Sequence, residues 1–332
     1  MILSICITSY KRVNELKRCL LSISTIYSDD VEIIISEDCS PLKYEIKKMV
    51  DSLRDRISFK LTFNSNEDNI GYDRNLKKLI DLANGKYILF LSDDDSIYPG
   101  ALDRLIPFLM KNNYKFIYTP FENLNGEMAR KSIDSYEIKN GKESAARNIY
   151  NFILFSGLIF LRESVKDISA NRFVNLNYFQ VYLGLVSVYK YGGYYFDCIL
   201  VKEHGDGENA FGTTSLGEHA KGLVDRKKSY SNIEYNKGLI NVIRIFDNDF
   251  NENTMSFFEK EYGLRTASGL IIAAKNNELE TYWEKLKELD IKYGLLPYVY
   301  YYAIKILGVN IMEKIFMCPK KILLSKRKRE LM

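Results

Sequence analysis

The sequence predicts an α/β fold in which a mainly parallel sheet is flanked by helices and followed by a mostly helical C-terminal region. Three observations predict it. Apolar runs of strand length alternate with segments of helical periodicity through the N-terminal half, several of those runs are apolar on both faces, and strand signals fade beyond about residue 216 while helical spacing continues. At 332 residues the chain is long enough for one large α/β domain and a smaller appendage.

Taken in order, residues 2–8 form a short β-rich run, and the spacing of Val13, Leu16, Leu20 and Ile23 predicts a helix over 13–26. V-E-I-I-I-S at 31–36 is a second strand stopped by E-D-C-S-P, followed by a helix over 43–53 and a strand over 59–63. Beyond N-I-G-Y, a helix from about 73 to 83 ends at Asn84-Gly85. Y-I-L-F-L at 87–91 is a wholly apolar fourth strand that runs directly into Ser92-Asp93-Asp94-Asp95. A helix over 99–111 and a strand over 116–119 come next, then a polar stretch to about 145 with room for a small hairpin. The uncharged segment 148–161, too short for a bilayer, reads as buried strand or helix. A helix over 178–191, one strand over 192–201 and a Gly-rich acidic loop over 205–217 complete the domain. The domain is therefore placed at 1–216, in halves 1–98 and 99–216, with a helical region at 217–332.

Composition excludes several functions. The net charge of +4 comes entirely from residues 309–332, where Lys314, Lys320, Lys321, Lys326, Arg327, Lys328 and Arg329 face only Glu313 and Glu330. The body is close to neutral, which argues against a nucleic-acid surface and for a locally basic tail. Cys6, Cys19, Cys39, Cys198 and Cys318 form no C-x-x-C pair, so neither a disulfide framework nor a zinc cluster is encoded and a reducing cytoplasm fits. The N-terminus lacks the n-region and cleavage site of a signal peptide. With only His204 and His219 available, carboxylates must carry most of the chemistry.

Three polar clusters fall at predicted strand ends, the edge at which parallel sheets bind ligands. Asp93-Asp94-Asp95 crowds three like charges that a cation would relieve, and such oxygens suit Mg²⁺ or Mn²⁺ bridging phosphates. The other reading is a helix N-cap. Asp38, in S-E-D-C-S-P, is a candidate acceptor for a base N–H, or closes an Asx-turn before Pro41. Thr8-Ser9-Tyr10-Lys11-Arg12, leading into the first helix, suits a nucleotide diphosphate, or supplies an N-cap through Thr8 or Ser9.

Together these residues resemble the nucleotide-sugar-binding half of the family 2 glycosyltransferases with the GT-A (Rossmann-like) fold. In that family a strand ending in T-x-Y-x-R is followed by D-D-x-S, by N-x-G-x-x-x-R-N and by A-x-G-x-Y-I-x-x-L-D-x-D. This chain reads I-T-S-Y-K-R, S-E-D-C-S, N-I-G-Y-D-R-N and A-N-G-K-Y-I-L-F-L-S-D-D-D in the same order. The resemblance implies that Asp38 binds the base, that Thr8, Tyr10 and Arg12 line the nucleotide, and that Arg74 and Asn75 border the diphosphate. It makes Asp93 and Asp95 the D-x-D pair, with Asp95 the direct metal ligand and Asp94 near the ribose or donor sugar. His204, in K-E-H-G-D-G-E-N, is then a further metal ligand or pyrophosphate contact, or else an ordinary loop residue.

The resemblance further implies an inverting transfer from a nucleotide-sugar, a UDP-sugar foremost, to a hydroxyl of a glycan or lipid-linked acceptor in cell-surface polysaccharide synthesis. A general base, in the family the Asp of an E-D pair opening a helix, is missing where Asn177-Tyr178-Phe179-Gln180 stands. Asp197, Glu203, Asp206 and Glu208 are the alternatives, with Asp206 and Glu208 taken as the catalytic pair. Two rival readings are a catalytically degenerate sugar-nucleotide-binding subunit and a nucleotidyltransferase. Residues 294–312 read as an interfacial or oligomer-facing helix, or as a buried hairpin, and with the basic tail suggest peripheral attachment to the inner face of the cell membrane or a homo-oligomer.

Overall fold

The computed structural model describes residues 1–130, 132, 134–173, 176–204 and 231–315. The chain divides into two compact units, Met1–Ala210 and Phe211–Met332. The boundary expected near 216 lies outside the described residues.

In the first unit, the β-branched and aliphatic runs become β1 (Leu3–Ser9), β2 (Val31–Glu37), β3 (Lys60–Ser65) and β4 (Tyr87–Ser92). The segments between them become α1 (Val13–Ser22), α2 (Lys43–Leu53) and α3 (Tyr72–Leu82), each amphipathic with its apolar stripe on the sheet. Beyond β4 come β5 (Ser96–Ile97), α4 (Ala101–Lys111), β6 (Phe116–Tyr118), β7 (Phe121–Glu122), β8 (Met128–Ala129), β9 (Tyr136–Ile138) and α5 (Lys142–Asn148). The unit continues with β10 (Leu158–Leu161), α6 (Phe179–Tyr191), β11 (Gly193–Tyr195) and β12 (Val201–Lys202).

The main sheet has the strand order β3-β2-β1-β4-β10-β6-β11-β9. Strands β1 to β4 are mutually parallel, whereas β10 runs antiparallel to both β4 and β6. The chain moves outward from β1 to β3 and then returns to β4 on the other side of β1, a reversal of strand order that opens a crevice at the carboxyl ends. Register places Thr8 beside both Ser36 and Ser92, so the polar ends of β1, β2 and β4 lie level. A second, small sheet in the order β5-β12-β7-β8 adjoins the end of β4.

The turn from α3 into β4 shows why A-N-G is needed there. A side chain at Gly85 would meet the Ser4 backbone nitrogen at 2.6 Å. The Gly85 N–H donates to Ser4 Oγ (2.8 Å), and Ser4 Oγ donates to the buried Glu32 carboxylate (2.7 Å). Asn84 N–H closes this network on Glu32 at 2.7 Å. The amino-terminal ends of β1, β2 and β4 are thereby tied together, at the edge opposite the crevice.

The structure differs from the expected elements in three places. The single strand expected over 192–201 is two, β11 in the large sheet and β12 in the small one, because Phe196–Leu200 turns across the sheet edge. Residues 142–148 form α5, a helix not expected at the end of the polar stretch read to about 145: Ala145 and Ala146 face inward, where small residues let the helix pack on α6. The first helix stops at Ser22, whose hydroxyl takes up the Cys19 carbonyl (2.6 Å). Helix α6 is buried from Phe179 to Val188, which explains its uncharged sequence.

The described part of the second unit is helical: α7 (Ser231–Phe250), α8 (Met255–Lys275), α9 (Leu279–Lys287) and α10 (Leu296–Leu307). Among the described residues no helix is long and apolar enough to cross a membrane.

Candidate active site

At the carboxyl end of β4 the chain does not enter a helix. Asp93 and Asp94 form a turn, Ser96–Ile97 is a strand, and α4 starts only at Ala101, so the three aspartates cap nothing. Thr8 and Ser9 do not cap α1 either: its N-cap position is Arg12, without a side-chain cap. With the capping readings removed, both segments are free to face the crevice.

They also face each other. The Arg12 guanidinium lies 2.8 Å from Asp93 and 3.0 Å from Asp94, and the Tyr10 N–H donates to Asp93 at 3.2 Å. Asp93 is 3% exposed, and burial lifts its carboxyl to about 7 despite the pull of Arg12. The chain's own guanidinium therefore supplies part of the positive charge that three adjacent aspartates require.

Asp95 is in a different position. It is 2% exposed; burial first, then Asp94, Glu203 and Asp93, lift it to about 8, while the Ser156 hydroxyl, donating at 2.5 Å, pulls the other way. The same Ser156 Oγ accepts from the Ser92 N–H at 3.0 Å, so one hydroxyl fixes both the strand end and the carboxylate. Pairing of Lys202 in β12 with Ser96 in β5 delivers Glu203 and His204 to this corner, and His204 Nε2 lies 2.9 Å from Ser96 Oγ. Buried, crowded, hard oxygen ligands fit a small divalent cation that shares a diphosphate. Among the described residues no three His, Cys, Asp or Glu side chains gather closely enough to hold an ion by themselves. Such a cation would take its other ligands from phosphate and water.

Asp38 closes no Asx-turn; the loop before Pro41 is held by the Glu37 carboxylate, which accepts from Ser40 N–H at 2.7 Å. The Asp38 carboxylate instead accepts from Asn66 Nδ2 (2.9 Å) and from the N–H groups of Ile70 (2.9 Å) and Gly71 (3.0 Å). Burial raises it, and these three donors oppose the rise. Gly71, at φ 80°, is in the left-handed region that the start of α3 needs here. Lys11 and Cys39 are also left-handed, with φ of 65° and 51°, so both loops beside the crevice hold strained backbone.

Arg74 and Asn75 part company. Asn75 is 2% exposed and spends its amide on the Ser36 carbonyl (3.0 Å) and on Asn66, which makes it a tether between α3 and β2. Arg74 is exposed and lines a cavity of about 570 Å³ with Lys77, Lys78 and Lys166.

Gln180, where an acid was sought, is a packing residue. It is 2% exposed, its Nε2 donates to the Ile153 carbonyl at 3.0 Å, and its Oε1 is buried without a partner among the described residues. A carboxylate does reach the N-terminus of α6, delivered from α3: Asp73 accepts from the N–H groups of Asn177 (2.9 Å) and Phe179 (2.8 Å). Burial lifts it to about 7, and those N–H groups oppose the rise. Its oxygens are occupied by the helix end, so Asp73 positions α6. Asp197 is held at the end of β11 by Ser135 and Tyr195. Asp206, Glu208 and His219 lie outside the described residues. Ser156, Asp73 and Arg130, which donates to the Ser156 carbonyl at 3.3 Å, were not singled out from the sequence for these roles.

A mainly parallel sheet with a carboxylate-rich crevice at its strand ends is the arrangement expected of a GT-A domain. Residues 4–168 match the profile of the glycosyl transferase family 2, and the chain belongs to that family. Among curated relatives, the abequosyltransferase RfbV of Salmonella typhimurium is 33% identical over 111 residues, 33% of this chain and 33% of that protein. The GalNAc(5)-diNAcBac-PP-undecaprenol beta-1,3-glucosyltransferase of Campylobacter jejuni is 33% identical over 107 residues, 31% of this chain and 33% of its own length. The matched stretch thus spans about a third of each relative. TarS 1–349 of S. aureus shares the fold, with a TM-score of 0.52 at 14% identity, covering 85% of this chain and 89% of that one. The same TarS segment has been solved in complex with UDP-GlcNAc (TM-score 0.50, 14% identity, the same coverage). Family membership sets aside the nucleotidyltransferase reading.

Proposed function

We propose that the protein is an inverting, metal-dependent glycosyltransferase that moves a sugar from a nucleotide-sugar, a UDP-sugar foremost, to a hydroxyl of a glycan or lipid-linked acceptor. The buried Asp95 carboxylate, crowded by Asp93, Asp94 and Glu203 at the carboxyl edge of the sheet, is the observation that carries it. The undecaprenol-linked glycan named for the Campylobacter jejuni relative supports a lipid-linked acceptor, and with it surface-polysaccharide synthesis at the inner face of the cell membrane.

In this reading Thr8 and Tyr10 line the nucleotide, and Asp38, through the loop it organises, sets the base pocket. Arg74 borders the diphosphate. Arg12 holds Asp93 and Asp94 in place. Asp95, with Asp93 and His204, would hold Mn²⁺ or Mg²⁺, which would supply positive charge to offset that of the departing nucleoside diphosphate. The acceptor hydroxyl attacks the anomeric carbon from the face opposite the leaving group, and the stereochemistry inverts. Its proton passes to a carboxylate. Glu203 is the described candidate beside Asp95; Asp206 and Glu208 follow it in the chain.

The packing role of Gln180 favours one second reading, a sugar-nucleotide-binding subunit without turnover. Donor hydrolysis separates the two. Purified protein with Mn²⁺ is expected to hydrolyse or transfer from at least one of a panel of UDP-, GDP-, dTDP- and CDP-sugars. Binding of one donor with no turnover of any would establish the second reading instead.

A further inference from the structure

The last described helices carry apolar surface on two opposite sides. On one, Pro297, Tyr301 and Ile304 of α10 are buried, with Tyr301 stacked on Trp283 of α9 at a centroid distance of 4.3 Å. Lys305, the one charge in α10, reaches Glu280 at 2.9 Å. At about 100° of rotation per residue, Leu295, Val299, Tyr302 and Ile306 fall opposite that buried side. They are 80%, 58%, 57% and 80% exposed. Residues 309–315 are helical again, and Ile311 and Ile315 are each 50% exposed. A surface helix ordinarily turns charged residues outward, and a contiguous outward apolar stripe marks a contact surface.

We infer that this face lies on an anionic lipid surface; the inference deepens the membrane placement above by naming the surface responsible. Three observations select lipid. α10 is 12 residues long, too short to span a bilayer but suited to lie along one. Tyr298 and Tyr302, both exposed, offer the amphipathic rings that settle at headgroup level. Directly after Ile315 the sequence supplies Lys320, Lys321, Lys326, Arg327, Lys328 and Arg329 against Glu330 alone, charge complementary to acidic headgroups. A second copy paired through the same face would bring two such cationic stretches together, which opposes self-association.

The test is cosedimentation of the full-length protein with vesicles of phosphatidylglycerol and phosphatidylcholine, and with phosphatidylcholine alone. The wild type is expected to favour the anionic vesicles and to lose binding at high salt. V299E/I306E and, separately, K326A/R327A/K328A/R329A are each expected to weaken partitioning about tenfold or more. Their thermal unfolding and donor turnover should stay at the wild-type level, so a failure here is distinct from a failure of the transferase reading. Wild-type protein that ignores anionic vesicles, variants that bind as well as wild type, or a concentration-dependent dimer abolished by V299E/I306E would each overturn the inference.

Discussion

Asp95→Ala is expected to lower metal-dependent donor turnover by about 10³-fold, equivalent to about 4 kcal/mol, while leaving the fold intact. The geometry separates the two effects. Asp95 is 2% exposed, and burial first, then three acidic neighbours, raise its carboxyl, so the folded protein disfavours its ionised form and gains little stability from it. A residue kept for stability would behave in the opposite way, and the protein would melt at a lower temperature. The diagnostic outcome is thus a variant as stable as the wild type, or more so, that has lost turnover. Full activity in the variant would remove Asp95 from the metal site.

Arg12→Ala should instead act on stability. Arg12 lies 2.8 Å from Asp93 and 3.0 Å from Asp94, with side-chain exposures of 13%, 4% and 16% in that order. Removing the cation strands a buried carboxylate, and breaking such a pair costs about 3–5 kcal/mol. Asp93 titrates near 7 in the folded protein, above the ordinary carboxylate range, so what it contributes is present at low pH and lost as pH rises through 7. Loss of Arg12 raises Asp93 further. The deficit should therefore be small near pH 4, where Asp93 is protonated with or without Arg12, and should grow toward pH 8. Denaturant titrations at both pH values measure this, and a pH-independent deficit would mean that Arg12 contributes packing alone. Asn at position 93 in the Arg12→Ala background should recover much of the loss.

These two outcomes show what the sequence could and could not disclose. The apolar run of β4 ending in three aspartates was legible because strand period and charge are local properties. The roles within the cluster are not local: Arg12 meets Asp93 across 81 positions of sequence, and Asp73 meets Phe179 across 106. From the sequence, Arg12 was a nucleotide contact and the start of α6 lacked an acid. The fold makes Arg12 the counterion of the aspartates and brings Asp73 to that helix end. The split of 192–201 into β11 and β12 was hidden for a related reason: strand propensity does not say which sheet a residue joins. Ser156 escaped notice because a serine between apolar residues acquires a role only once it stands beside Asp95. Of the acids considered for the base, Asp206 and Glu208 fall outside the described residues, whereas Glu203 lies beside Asp95.

The central claim is that the carboxyl edge of β1, β2 and β4 binds a nucleotide-sugar with its diphosphate at Asp95. A crystal structure of the protein soaked with UDP and Mn²⁺ tests this most directly. The uracil is expected in the pocket set by Asp38 and the 66–71 loop, and the diphosphate is expected to share Mn²⁺ with the Asp95 carboxylate. UDP seated away from the carboxyl ends of β1, β2 and β4, or Mn²⁺ held without Asp95, would contradict it.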